Sequence, residues 1–237
     1  MNTQNPTISV VVVAYNEEKY IPKTLESIQK QTYKDYELIV VDNNSVDKTN
    51  VLAKQYGARV LNEKTQGYVY ALNTGLRATK GRIIAVSDAD TIVPSDWLEK
   101  IAKEFEDPQL LGLTGSLRYN TRNSFSNWLI YKSYDLFIMC NFLLGKAHFT
   151  GTCIAFRKAV FQKIGNLNVK FKVGADVDLG LQIQKFGKVS YTPHITVIAS
   201  DRRWKQGILD NFLKYVQAYL YVVWLRREVK SSLKPTT

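Results

Sequence analysis

Gly81-Arg-Ile-Ile-Ala-Val-Ser-Asp-Ala-Asp-Thr91 is the stretch on which the reading of this chain turns. Residues 83–86 are a short, branched, apolar run of the kind that forms a buried strand, and the run stops at Ser87. Asp88 and Asp90 follow at alternate positions, and in an extended chain such side chains project the same way. Two carboxylates converging past the end of a strand repel each other unless a cation lies between them. A divalent ion that prefers hard oxygen ligands, Mg²⁺ or Mn²⁺, answers that need, and such an ion can also hold a diphosphate. The competing reading is that these aspartates open the next turn.

Upstream, residues 8–14 are continuously branched and apolar (Ile-Ser-Val-Val-Val-Val-Ala), the pattern of a strand covered on both faces. Tyr15-Asn-Glu-Glu18 breaks the run, and a helix is expected over 22–30 with Pro22 in its first turn. A second strand over 37–42 again ends on a carboxylate, Asp42, and residues 43–47 carry turn chemistry. Asp47 reads as the N-cap of a helix through Tyr56, with Gly57 as its stop. A strand over 58–61 and a helix over 68–79 lead to Gly81, which resets the chain. Four strand-helix alternations with short links predict a doubly wound, mostly parallel sheet. Ligands of such sheets bind beyond the carboxyl ends of the strands. Asn16 and Glu17, Asp42, and Asp88 with Asp90 all fall on that rim.

Downstream, Ser95 is expected to cap a helix over 96–105, followed by a strand over 110–117. Residues 124–144 are long and aromatic-rich, 150–156 return to strand character, and 171–178 lead into a helix ending near Phe186 and Gly187. No repeat or low-complexity linker divides the chain, so its second half is expected to be integrated with the first.

At 237 residues and 45% apolar composition the chain can bury one sizeable core. Its formal net charge of +11 favours an anionic partner. Of the candidates (a sugar nucleotide, a lipid surface, a nucleic acid) the last is set aside, because no recognised nucleic-acid motif is present and the basic residues are scattered until the last quarter. Cys140 and Cys153 have no metal-ligand spacing and read as free thiols in a reducing compartment. The polar opening residues show no leader pattern, so a cytoplasmic location is expected.

Taken in order, residues 9–17, the run Val40-Val-Asp-Asn-Asn-Ser-Val-Asp-Lys-Thr49, Asn73-Thr-Gly75, Gly81 and Asp88-Ala-Asp90 resemble a family 2 glycosyltransferase of the GT-A fold. The likeness runs through most of residues 8–200. It implies a Rossmann-like α/β domain over 1–204, with a nucleotide-sugar half (1–118) and an acceptor half (119–204). The loop of Ala14, Tyr15, Asn16 and Glu17, with Asp42, Asn44 and Ala89, would hold the nucleotide. Asp42 would accept the N–H of a uracil and Glu17 would meet the ribose. Asp88 and Asp90 would carry the metal and the donor's ribose and diphosphate.

The same family has an acidic motif, usually Glu-Asp, that opens a helix and supplies the base. Here the segment is Gly174-Ala-Asp-Val-Asp178; Asp176 matches the base, and Ala175 stands where the Glu is usual. Asp176 and Asp178, two apart at a helix start, do not share a face. An N-cap role for Asp176 is the alternative. Thr150-Gly151-Thr152 resembles the segment beneath donor sugar and acceptor, unless it is a plain turn. Arg203-Trp204 resembles the end of a Gln-x-x-Arg-Trp motif of processive synthases, but Ser200 occupies the Gln position, so processivity is not expected. Arg202 and Arg203 would pair with diphosphate or form a solvated basic face. His148 and His194 read as structural.

Residues 208–225 are apolar except for Asp210, Asn211, Lys214 and Gln217, and basic residues flank them. Asp210 and Lys214 argue against a bilayer span. A helix lying in the membrane interface fits, as does one that packs on the domain or makes a dimer; residues 205–237 are therefore expected to be a helical appendage with a basic tail. The expected activity is metal-dependent, inverting transfer of a sugar from a nucleotide-diphosphate donor, with UDP the expected nucleotide. The acceptor hydroxyl would belong to a saccharide or a lipid-linked molecule. A non-catalytic sugar-nucleotide-binding module is the alternative. A nucleotidyltransferase would carry a Gly-rich basic loop after its first strand, where this chain has the acidic Ala14-Tyr-Asn-Glu-Glu18.

Overall fold

The computed structural model describes residues 5–119, 124–171, 173–202, 219, 222 and 223. Strand β1 (Ile8–Ala14) is buried along its whole length, because β2 (Tyr36–Asp42) and β4 (Ile83–Asp88) pair with it in parallel on either side. Beyond β2 lies β3 (Arg59–Asn62), also parallel. The register sets Ala14 opposite Asp42 and Val13 opposite Asp88, so three strands deliver their last residues to one level.

Side chains alternate along β1, and the two faces are covered by different helices. Val10, Val12 and Ala14 share a buried cluster with Ile21, Leu25 and Ile28 of α1 (Ile21–Gln29), Ala53 of α2 (Thr49–Gln55) and Trp97, Leu98 and Ile101 of α4 (Trp97–Glu104). Val11 and Val13 pack instead with Val69, Leu72 and Leu76 of α3 (Tyr68–Ala78), Val160 and Phe161 of α6 (Lys158–Ile164), and Val177, Leu179 and Ile183 of α7 (Ala175–Gln184). This is the doubly wound arrangement that the strand-helix alternation predicts. The glycine of Asn73-Thr-Gly75 lets α3 lie close to the sheet: a Cβ there would stand 2.5 Å from Val11 Cγ1 and 2.9 Å from Val41 Cγ2.

The second half completes an eight-stranded sheet in the order β3-β2-β1-β4-β7-β6-β8-β5. Strands β6 (Leu110–Tyr119) and β8 (Lys188–Ala199) run parallel, while β7 (Ile154–Arg157) is antiparallel to both β4 and β6. Only Ala89 and Asp90 separate β4 from β5 (Thr91–Ile92), yet β5 pairs antiparallel with β8 at the far edge. Four strand spacings in a flat sheet would be about 19 Å, and the three Cα–Cα steps from Asp88 to Thr91 span no more than about 11 Å. The sheet is therefore curled, and its far edge returns to the carboxyl end of β4. β5, α6 and β8 were not expected from the sequence. β8 carries Pro193 and slips in register between Gly115 and Ser116 of its partner, which breaks the alternation that would have announced it.

Helix α5 (Ser124–Leu143) forms from the aromatic-rich stretch. Among the described residues no helix is long and apolar enough to cross a membrane. Asp135 on its inward side anchors it: its carboxylate accepts from Arg118 at 2.7 Å and from the Tyr191 hydroxyl at 2.6 Å, and from Ser116 as well. Burial alone would raise the Asp135 pKa, but these hydrogen bonds and the Arg118 charge together hold it low.

The helix expected over 208–225 lies outside the described residues except at Tyr219, Val222 and Val223. The two valines are buried in the cluster that includes Ala175 and Val177, and the Tyr219 hydroxyl donates to Asn141 Oδ1. His148 lies between Phe137 and Tyr219, with ring centroids 5.3 and 5.4 Å away. Burial pushes its pKa down to about 4, below the roughly 6.5 of an exposed imidazole. Between those values the unfolded chain binds the extra proton, so stability is lost as pH falls through that window. Thermal melts of the wild type should fall between pH 6.5 and pH 4.5, and His148→Phe should flatten that decline. A variant with an unaltered pH profile would remove His148 as its cause.

Candidate active site

The rim is built by two loops tied to each other. Three successive backbone amides after β1 donate across to side chains after β2: Asn16 to Ser45 Oγ at 2.9 Å, Glu17 to Thr49 Oγ1 at 2.7 Å and Glu18 to Asp47 Oδ2 at 3.0 Å. In return the Asn16 side-chain carbonyl accepts the Val46 amide at 2.9 Å. Asn16 and Asn44 hold left-handed backbones, φ 52° and 64°, a conformation that asparagine tolerates better than most residues. These amides are thus committed within the protein, so the loop is no phosphate-cradling nest of the P-loop kind.

Asp47 is the hub of this stitching. Helix α2 starts at Thr49 with Lys48 in the cap position, so Asp47, the expected N-cap, stands one residue ahead of the observed one. Its Oδ1 nevertheless accepts the Thr49 amide at 2.9 Å and the Thr49 hydroxyl, while Oδ2 takes Glu18. Desolvation opposes the charge, but these hydrogen bonds outweigh it and lower the Asp47 pKa. Ser45 and Asp47 were read as turn and cap residues and Thr49 as part of the helix behind them, all within the run that resembles the family. Their reach into the first loop was invisible, because it depends on β1 and β2 lying side by side.

Asp42 is 5% exposed, and its two oxygens accept the Ser45 amide at 3.2 Å and the Asn50 side-chain amide at 3.0 Å. Asn43, also buried, holds the loop after β3: its Nδ2 donates to the Glu63 and Thr65 carbonyls, and its Oδ1 accepts the Gly67 amide at 2.8 Å. Ala14 and Ala89 are buried beneath the rim, Tyr15 and Asn16 are half-buried, and Asn44 faces solvent.

Asp88 is the last residue of β4, and Asp90 sits in the turn that follows. The strand alternation expected to aim both side chains one way therefore stops at Asp88. The guanidinium of Arg202 reaches this point from beyond β8. It donates to Glu17 Oε1, its Nε lies 3.2 Å from Asp90 Oδ2, and its plane lies 4.7 Å over the Tyr20 ring. The Asp90 carbonyl meanwhile accepts the Ser200 amide at 3.2 Å. Among the described residues, no three His, Cys, Asp or Glu side chains converge as a metal cage. Two carboxylates suit a different kind of site, in which substrate phosphates and water complete the shell. A guanidinium sits between Glu17 and Asp90, and the donors at this spot are hard carboxylate oxygens of the kind such a metal takes.

Asp176 comes to the same rim from α7. Strand β7 runs antiparallel to β4 with Ile154 opposite Val86, so the turn at 150–153 stands beside the acidic end of β4. Asp176 Oδ2 accepts the Gly151 amide at 2.8 Å, and a Cβ on Gly151 would stand 3.2 Å from that oxygen. The glycine admits the carboxylate. Asp176 is not an N-cap: Gly174 holds that position with φ 81°. Asp178 points elsewhere, taking a hydrogen bond from Gln182 Nε2 and lining a separate cavity of about 230 Å³ with Asn168, Phe171 and Lys185. Asn73 supports this region from α3, since its side chain donates to the Leu167 carbonyl at 3.0 Å and accepts the Leu167 amide at 2.8 Å. The Thr152 hydroxyl is buried without a hydrogen-bond partner among the described residues. His194 pairs with Glu104 at the surface. Arg203 and Trp204 lie outside the described residues.

Comparison with known proteins agrees with this architecture. A family model described as glycosyl transferase family 2 matches residues 9–165. A protein of Haemophilus influenzae, described as an uncharacterized glycosyltransferase, is 36% identical over 118 residues. That match covers 47% of this chain and 36% of the relative, so the chain spans about a third of that protein's length. A mannosyltransferase from Pyrobaculum calidifontis, solved with GDP-Man and Mn²⁺, superposes with a TM-score of 0.70 at 23% identity, over 93% of this chain and 70% of the other. TarS from S. aureus, solved with UDP-GlcNAc, gives a TM-score of 0.65 at 19% identity, over 82% and 58% of the two chains.

The stitched loops predict that Asp47→Ala lowers stability by about 1–3 kcal/mol, because it strips acceptors from buried donors. Urea unfolding would measure it, and an unchanged midpoint would mean that the two loops stand independently.

Proposed function

The chain belongs to glycosyl transferase family 2, and from that premise we propose that it transfers a sugar from a nucleotide-diphosphate donor to an acceptor hydroxyl with inversion, in one displacement. The observation that carries the reading is the meeting of Asp176 with the Gly151 amide beside the acidic end of β4.

In this reading the loop of Ala14–Glu17 and Asp42 binds the nucleoside. Asp42 turns an oxygen to the N–H of the base, and Glu17 lies near the ribose. Asp88 and Asp90 hold a divalent ion, Mg²⁺ or Mn²⁺, which would neutralise the charge that develops on the departing diphosphate. Asp176 takes the proton of the acceptor hydroxyl as it attacks the anomeric carbon. The Gly151 amide on Oδ2 and the Val177 amide at 3.0 Å on Oδ1 orient that carboxylate, and Thr152 offers its buried hydroxyl to the sugar. The donor is proposed to be a UDP-sugar. The neighbours solved with GDP-Man and with UDP-GlcNAc make guanine the rival base. A saccharide or lipid-linked acceptor, and peripheral membrane contact through residues 205–237, belong to the same proposal.

One observation favours a second reading, a sugar-nucleotide-binding module without turnover. Ala175 is 6% exposed and packed in the core where the family's usual Glu would stand. Titration of UDP and GDP in Mn²⁺, followed by a donor-hydrolysis assay, separates the two: a module binds and never turns over, and the nucleotide that binds identifies the base.

Asp176→Asn keeps an oxygen for the Gly151 amide but removes the base. Transfer should fall by about 10²–10⁴-fold, with nucleotide binding within a few-fold of wild type. Equal loss of both would assign Asp176 a structural role. Replacing Arg226, Arg227 and Lys230 by Gln, which leaves the buried Val222 and Val223 in place, should weaken sedimentation with anionic liposomes, and unchanged sedimentation would refute the membrane contact.

A further inference from the structure

Among the described residues, Arg202 stands where the metal reading wants positive charge. Its guanidinium bridges Glu17, from the loop after β1, and Asp90, from the turn after β4. The two carboxylate side chains are 10% and 15% exposed and that of Arg202 is 15% exposed. The contact is built into the fold. The Ser200 amide is fastened to the Asp90 carbonyl, the Arg202 amide donates to Ser200 Oγ at 3.3 Å, and Tyr20 lies beneath the guanidinium. This is a partly buried pair fixed at both ends, and so not one of the loose surface pairs that contribute little.

A divalent ion on Asp90 would face this guanidinium across one carboxylate. Like charges at such a distance repel strongly where water is scarce, so the ion and Arg202 compete for Asp90. The competition ends when a diphosphate arrives, because a guanidinium fork fits phosphate oxygens at least as well as carboxylate ones. We propose that Arg202 is a resident counter-cation that Asp90 exchanges for the divalent ion, the freed guanidinium passing to the donor's diphosphate, so that metal and nucleotide bind as a coupled pair. This rests on the metal-diphosphate reading of the preceding subsection. Arg202 acts here as a positioning residue: it keeps Glu17 and Asp90 from repelling each other in the absence of metal and makes metal binding depend on the donor.

The test is Mn²⁺ affinity, measured by the electron paramagnetic resonance of free Mn²⁺ with and without UDP, in wild type and in Arg202→Met, which keeps an apolar stem over Tyr20. The variant should bind Mn²⁺ alone about tenfold more tightly than wild type, and the gain in Mn²⁺ affinity caused by UDP should shrink by a similar factor, a usual size for coupling between sites. In EDTA the variant should melt lower than wild type, and Mn²⁺ should restore it. Equal or weaker Mn²⁺ affinity in the variant, or an undiminished UDP effect, overturns the exchange. Should Arg202→Met not fold, Arg202→Gln gives the same readout. A wild type that binds no Mn²⁺ even with UDP would instead sink the underlying metal reading, and that result is distinct from a variant that fails to tighten.

Discussion

The structure depends on keeping acidic side chains together at the end of a buried sheet. Parallel pairing of β1 with β2 and β4 is driven by branched residues that must be covered on both faces, and the same register levels Ala14, Asp42 and Asp88. Burial of apolar strands thus has an electrostatic consequence, since Glu17, Asp42, Asp88 and Asp90 arrive at one rim. Three of them are then handled by named partners. Asp42 accepts from Ser45 and Asn50, and Glu17 and Asp90 share the guanidinium of Arg202.

The rest of the molecule serves that rim. Gly75 brings α3 onto β1 and β2, and Asn73 on that helix fixes Leu167, just ahead of α7. Curling of the sheet returns β5 and β8 to the end of β4, which is how a residue 185 positions away from Glu17 reaches it. The antiparallel strand β7 turns the chain back so that Gly151 stands next to the acidic strand end. Residues from both halves of the chain therefore meet over a few side chains, and neither half makes the site alone.

Legibility followed the range of the interaction. β1, β2, α3 and β4 were readable because unbroken apolar runs and a glycine stop are local signals. The alternation expected to carry Asp88 and Asp90 does not extend to Asp90, which lies in a turn. Asp47 was readable as a cap, and its second bond, to Glu18, was not. β8 was missed because Pro193 and a register shift interrupt its pattern, while its partner β6 was found. The opposite facing of Asp176 and Asp178 followed from helical geometry alone, whereas the identity of the partner, Gly151, did not.

By itself the sequence determined that a doubly wound α/β sheet would form, that carboxylates would cap its strands, and which family pattern those residues follow. These are properties of periodicity, turn chemistry and residue order, all written within a few residues of each other. Tertiary structure alone decided which acidic groups share a cation, that the cation is Arg202, and that a glycine amide holds Asp176. Those contacts join segments 25 to 185 residues apart, and their geometry exists only after strand pairing and sheet curvature have set where each segment ends.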